Sequence, residues 1–157
     1  MSPMRTHAVP VTLAELVRSG VAESLQGDAA VAVTGVQRDS RCVSPGDLFV
    51  ALPGEHVDGG EFAQAAARAG ACAVLTSAPI EGLALPQLLA SDVRRGLALA
   101  SHLVYGEPSS VLEVVGITGT NGKTTTSYLL EAILIAAGKR VGLIGTVAVR
   151  GPGYATT

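Results

Sequence analysis

Gly119-Thr120-Asn121-Gly122-Lys123-Thr124-Thr125 is the segment of this chain best equipped for chemistry. Glycines permit backbone dihedrals and close approach that a Cβ would block, so successive N–H groups can converge on phosphate oxygens. A following helix adds the partial positive charge of its N-terminus at the same spot. In such a loop Lys123 reaches the β- and γ-phosphates of a nucleotide, and the Thr124 hydroxyl sits on Mg²⁺. Thr125 is placed to touch phosphate, whereas Thr126 reads as an ordinary helix residue. The general pattern G-x-x-x-x-G-K-[ST] would put its first glycine at position 117, which is Ile117. Gly116 falls one place early and Gly119 two places late. The competing reading is a glycine-rich strand-to-helix turn with a solvated lysine.

The flanks favour the phosphate loop. The apolar run Val111 to Ile117 reads as a buried strand, and the helical pattern after the loop puts Leu129, Ala132, Ile133 and Ala136 on one face. Arg140 to Val147 reads as the next strand, followed by a polar loop from Gly151 to Thr157. Further upstream, Thr12 is an N-cap with Glu15 three residues on, for a helix that stops at Gly20. Val31 to Val36 reads as a strand, Ser44-Pro45-Gly46-Asp47 as a turn, and Leu48 to Leu52 as a strand. Asp58 to Gly70 is expected to be a helix with Phe62, Ala65, Ala66 and Ala69 inward. Strands at Ala73–Leu75 and Gln87–Ala90 follow, then a helix capped by Asp92 that buries Val93, Leu97 and Ala100.

Alternating strands and helices predict an α/β fold with a parallel sheet and ligands at the strand C-terminal ends. The turn formers Tyr105 to Ser110 mark a break, giving a small domain over residues 1–106 and the start of a second over 107–157. One β-α-β unit cannot cover both faces of its own sheet, so the second domain is expected to be truncated.

Composition narrows the function classes. The 157 residues are 48% hydrophobic and 15% charged, with a net charge of −2, which gives no electrostatic case for nucleic acid. No apolar stretch approaches a membrane span, and the first ten residues lack a signal-peptide core, so a cytoplasmic protein is expected. Cys42 and Cys72 stand apart and read as buried thiols. His7 lies in a leader, His102 faces outward from a predicted helix, and no His/Cys/Asp/Glu spacing suggests zinc.

Val114-Val-Gly-Ile-Thr-Gly-Thr-Asn-Gly-Lys-Thr-Thr-Thr126 resembles the ATP loop of the Mur ligase family, G-T-[ND]-G-K-T. That loop is shorter than the general one, which accounts for Ile117. A second match lies upstream: Arg38-Asp-Ser-Arg41, Pro45-Gly-Asp-Leu-Phe-Val-Ala-Leu-Pro-Gly54 and Asp58-Gly59 resemble the family's N-terminal UDP-binding domain. Within the family, Tyr105-Gly-x-Pro-Ser109 and Gly142-Leu-Ile-Gly-Thr146 are similar to the branch that makes the UDP-N-acetylmuramoyl-tripeptide, MurE. MurF, which shares a similar front domain, is the alternative.

The resemblance implies ATP and Mg²⁺ as cofactors. It implies that Gly119 to Thr125 hold ATP, with Lys123 at the transferring phosphoryl group and Thr124 on the metal. It implies that Arg38, Ser40, Glu55, His56, Val57, Thr156 and Thr157 contact the UDP-substrate. Ser40 beside Arg41 suits a pyrophosphate or a uracil edge, both rich in acceptors. Read without the resemblance, the same residues make an ordinary turn with a surface Asp39–Arg41 pair.

The implied reaction joins a diamino acid, meso-diaminopimelate or L-lysine, to UDP-N-acetylmuramoyl-L-alanyl-D-glutamate through an acyl phosphate. A monomer is implied for the full-length enzyme, with no nucleic-acid or membrane partner. By the same resemblance the other catalytic groups lie beyond residue 157, so this segment alone is expected to be inactive. A P-loop phosphotransferase of another kind has no need of the Asp39-Ser40-Arg41 and Gly46–Leu52 region. A non-catalytic uridine-nucleotide-binding module is the third possibility.

Overall fold

The computed structural model describes residues 8–53 and 59–156. It divides the chain into two compact units, one ending at Leu112 and the other running from Glu113.

The first unit begins with strand β1 (Val11–Thr12) and helix α1 (Leu13–Arg18). The capping box read in the sequence is formed: Glu15 N–H donates to Thr12 Oγ1 at 3.3 Å, and Thr12 N–H donates to Glu15 Oε2 at 2.7 Å. Strands β2 (Ser24–Gln26), β3 (Ala32–Val33), β4 (Gly35–Gln37) and β5 (Asp47–Val50) follow, then α2 (Ala63–Ala69), β6 (Ala73–Thr76), β7 (Gln87–Leu89) and α3 (Val93–Val104). Five of the strands form one sheet in the order β2-β7-β6-β5-β4. β4 to β7 pair in parallel, and β2 joins the edge antiparallel.

Every residue of β5 and β6 is buried, as parallel strands covered on both faces require. Side chains alternate between two layers. Leu48, Val50, Ala73 and Leu75 enter the larger core with Leu13, Leu16 and Val104, while Phe49, Ala51 and Val74 pack with Ala63 and Ala66 of α2.

The predicted strand 31–36 is divided at Thr34. β3 pairs with β1, whereas β4 pairs with β5, and between them Thr34 N–H donates to Gly46 O at 2.9 Å. The predicted helix 58–70 also differs. Residues Gly59–Phe62 form a 3-10 turn and α-helix begins at Ala63. A 3-10 turn advances three residues per turn, so the inward face is displaced from the one projected at 3.6. Ala63 and Ala66 are buried, while Phe62 is 45% exposed and Ala69 is exposed. Gly70 ends α2 at φ 105°, and a Cβ there would lie 3.1 Å from Pro45 Cα.

Asp92 caps α3 as expected, accepting from Arg95 N–H at 2.9 Å. Its buried face is Val93, Gly96, Ala100 and Val104, with Leu97 half-buried. Gly96 sets how closely α3 approaches the sheet, because an added Cβ would meet Val21 O at 2.7 Å and Leu75 Cδ2 at 2.9 Å. Gly96→Ala is therefore expected to destabilise this unit by about 1–3 kcal/mol, the usual cost of overpacking. A denaturant titration that gave unchanged stability would contradict that close packing. His102 is not the solvated residue expected. The chain turns back at Gly106 and Glu107, and the half-buried His102 ring has Ser109 Oγ 3.3 Å from its Nδ1.

The second unit holds α4 (Lys123–Ala136), β8 (Leu143–Ile144), β9 (Val149–Gly151) and β10 (Tyr154–Thr156). Its sheet is antiparallel, in the order β10-β9-β8, where a parallel one was expected. The predicted strand 111–117 is not formed: among the described residues nothing pairs with it, and Val111 is 83% exposed. The strand expected over 140–147 shortens to Leu143–Ile144, and the expected polar loop 151–157 contains β10. The predicted inward face of α4 is exposed, with Leu129 at 61%. An apolar strand or helix face is buried only when a neighbour covers it, and the described residues of this unit supply none.

Neither cysteine is fully buried. Cys42 is exposed, and the half-buried Cys72 thiol donates to Gly46 O at 3.4 Å, with burial pushing it up to about 11. Among the described residues no helix is long and apolar enough to cross a membrane.

Candidate functional site

Gly122 stands at the N-cap of α4 with φ 78°, and Gly119 has φ 149°, so the two glycines of the loop occupy backbone regions that other residues rarely adopt. No side chain caps α4. Its first intrahelical bond runs from Thr126 N–H to Gly122 O at 2.9 Å, and the preceding first-turn donors have no partner within the helix. Such donors, with the helix dipole behind them, suit an anion.

Lys123 folds back across the loop, donating from Nζ to Gly119 O at 2.5 Å and to Thr120 O at 3.3 Å. Its charge is thereby held over the loop. A cavity of about 290 Å³ opens beside it, with Lys123, Thr124, Ser127 and Tyr128 on one wall and Gly142 to Ala148 on the other. Thr125 and the loop residues Gly119, Thr120, Asn121 and Gly122 do not line that cavity. Thr124 and Ser127 are linked by the Ser127 hydroxyl, which donates to Thr124 O at 2.8 Å.

Among the described residues no cluster of three or more His, Cys, Asp or Glu could hold a metal alone. The donor set nevertheless fits Mg²⁺ as such loops hold it. One hydroxyl, Thr124, stands at the N-terminal end of α4 beside the glycine loop, and an ion held there would take its remaining ligands from phosphate and water.

In the first unit, Arg38 is exposed and Ser40 half-buried, at the start of a 3-10 turn spanning Ser40–Cys42. Asp39 caps that turn, accepting from Arg41 N–H at 3.0 Å, and holds the Arg41 guanidinium through bonds from Nε at 2.9 Å and Nη2 at 2.6 Å. The surface pair considered in the sequence is thus present, and Asp39 fixes the turn that carries Ser40. Glu55, His56, Val57 and Thr157 lie outside the described residues. Thr156 is the last residue of β10, in the second unit, paired with Val149.

The Arg41 side chain, together with the Arg41 amide, holds the Asp39 carboxyl down at about 2. A depressed carboxylate stabilises the fold above its unfolded pKa, near 4, and that contribution is lost as pH falls through the folded value. The clamp is therefore expected to survive at pH 3 and to open toward pH 2. Carboxyl-carbon NMR would show this as an Asp39 midpoint near 2, and a midpoint near 4 would contradict it.

Sequence reasoning passed over Tyr128, Glu131 and Arg150, which form one cluster. Arg150 donates through Nε to Glu131 Oε1 at 2.8 Å and through Nη2 to Oε2, and its guanidinium carbon lies 4.5 Å from the Tyr128 ring centre. The available signal was Gly151-Pro152-Gly153. Pro-Gly between two short extended runs marks a hairpin turn, and it places Arg150 on a strand.

Two family models match the chain: the Mur ligase family catalytic domain over residues 32–102, and the Mur ligase middle domain over 117–157. The chain belongs to the Mur ligase family. A UDP-N-acetylmuramoyl-L-alanyl-D-glutamate–2,6-diaminopimelate ligase from Streptomyces coelicolor is 46% identical over 153 residues, covering 94% of this chain and 29% of that protein. A solved structure of a ligase of the same name is similar at a TM-score of 0.70 and 26% identity, over 94% of this chain and 30% of the other. The MurF ligase of Thermotoga maritima, solved in complex with ADP, is similar at a TM-score of 0.53 and 33% identity, over 67% of this chain and 23% of the other. The chain thus spans less than a third of the length of these relatives.

Proposed function

We propose that this chain is the N-terminal part of an ATP-dependent ligase that adds a diamino acid to UDP-N-acetylmuramoyl-L-alanyl-D-glutamate. Residues 1–106 bind the UDP-substrate, and residues 107–157 begin the ATP-binding domain. The reading rests chiefly on Lys123 and Thr124 sharing one cavity wall at the N-terminal end of α4. The names carried by the relatives supply the substrates.

A carboxylate does not react with an amine, because its leaving group would be oxide. Transfer of the γ-phosphoryl group from ATP to the substrate carboxylate makes an acyl phosphate and ADP, and the free amine then displaces phosphate. The loop amides and Lys123 stabilise charge spread over the transferring group, which is where such an enzyme gains most. Thr124 would hold Mg²⁺, which would supply neutralisation of charge on the phosphate oxygens. Arg38 and Ser40, with Glu55, His56 and Val57, take the UDP-substrate in the first unit. The reaction belongs to the cytoplasm, and the full-length enzyme is a monomer.

The test is ADP release by the enzyme that contains this chain. Release is expected to require UDP-N-acetylmuramoyl-L-alanyl-D-glutamate and a diamino acid together. Dependence on the UDP-N-acetylmuramoyl-tripeptide and D-alanyl-D-alanine instead would identify a MurF-type ligase, and release independent of any amine would refute ligation.

A further inference from the structure

We propose that Arg150 is a positioning residue for the nucleotide cavity, setting the distance between its α4 wall and its Gly142–Ala148 wall. The inference rests on reading that cavity as the phosphate site.

Arg150 lies on β9, the central strand of the three. Its backbone partner across the sheet is Leu143, and that of Val149 is Ile144, so β9 carries the start of the Gly142–Ala148 wall in its register. Its side chain reaches the other way, onto α4. Tyr128 and Glu131 stand three residues apart there, on one helical face, and Tyr128 stands four residues from Thr124. Among the described residues, the side-chain hydrogen bonds that join α4 to the sheet are both Arg150's. One guanidinium therefore ties together the two elements that wall the cavity.

Arg150 does not itself line this cavity. It lines a separate one of about 360 Å³, along with Glu131, and so backs Tyr128 from outside. The contact is directional. A bidentate bond to Glu131 fixes the plane of the guanidinium, and the flat face then meets the Tyr128 ring. The Glu131 side chain is only 13% exposed, and hydrogen bonding from Arg150 holds its carboxyl below the usual range, so it stays ionised and paired. Lysine offers neither the fork nor the flat face, so Arg150→Lys removes the constraint while retaining the charge.

The experiment is a double-mutant cycle in the enzyme that contains this chain, comparing Arg150→Lys, Tyr128→Leu and the pair. Each single variant is expected to raise KM for ATP on the order of tenfold, with KM for the UDP-substrate unchanged. The pair should lose no more than either single, because both break one contact. Either single variant suffices for the KM comparison if the other fails to fold. A merely structural role would instead lower the active fraction, reducing kcat at unchanged KM for ATP, and that result would overturn the inference. Multiplying losses in the pair, on the order of a hundredfold, would overturn it too. A wild-type enzyme with no saturable ATP dependence would bring down the phosphate-site reading itself and this inference with it. Saturable ATP dependence with unmoved KM in the variants would sink this inference alone.

Discussion

Replacing Lys123 by alanine is expected to lower turnover of the enzyme that contains this chain by about 10²–10³-fold. The reason lies in where the lysine is held. It occupies the first position of α4, behind two glycines in special backbone conformations, and lines the cavity beside Thr124. Its ammonium donates to the Gly119 and Thr120 carbonyls. Phosphate oxygens are stronger acceptors for a cation than neutral carbonyls, so a bound triphosphate would draw the ammonium off the loop. Its charge then counts most while negative charge moves between the β- and γ-phosphates. Losing one such stabiliser costs about 3–4 kcal/mol of activation energy. Affinity for the UDP-substrate should change little, since its proposed contacts at Arg38 and Ser40 belong to the first unit. Steady-state kinetics with each substrate varied checks this. Near-normal turnover, or a loss confined to UDP-substrate KM, would remove Lys123 from the phosphate site.

Phe49→Ala is expected to cost the first unit about 3–5 kcal/mol, the range for truncating a buried phenylalanine. The ring is 1% exposed and fills the layer between β5, β6 and α2. Its buried neighbours in that layer are Ala51, Ala63, Ala66, Ala71 and Val74, all short. None of these five can extend into the space a lost ring would leave, so the relief can come only from the half-buried Val43, Ile80, Leu83 and Leu85 at the layer's edge, and the cost should fall within that range. The loss should appear as a lower urea midpoint at unchanged slope, with α2 amides exchanging faster. A cost below about 1 kcal/mol would mean that α2 collapses onto the sheet.

What the sequence disclosed follows the range of the forces involved. Thr12 with Glu15, Asp92 with Arg95, and the turn where Asp47 N–H reaches Ser44 O at 3.1 Å are each settled within four residues, and all are formed as read. Strands β5, β6 and β7 were equally plain, since sustained apolar runs between turn formers have few other uses. Misreadings arose where a distant partner decides. Val111 to Ile117 has the composition of a strand but needs a neighbour to pair with, and Leu129 and Ile133 need a surface to cover them. Thr34 divides a run that looked continuous because Gly46, twelve residues away, takes its N–H. The glycine loop before α4 was readable because Gly119, Gly122 and the helix start at Lys123 lie on one contiguous stretch of backbone. The Arg150 cluster was not, since Tyr128, Glu131 and Arg150 meet only once the hairpin has folded against α4.

Hydrogen–deuterium exchange of the enzyme, with ATP·Mg²⁺ and UDP-N-acetylmuramoyl-L-alanyl-D-glutamate added in turn, tests most directly that this chain carries a nucleotide site and a separate UDP-substrate site. ATP·Mg²⁺ is predicted to slow exchange across residues 116–126, and the UDP-substrate to slow it at 38–41 and 54–58. UDP-substrate protection confined to 116–126, or no protection there by ATP·Mg²⁺, would contradict the account.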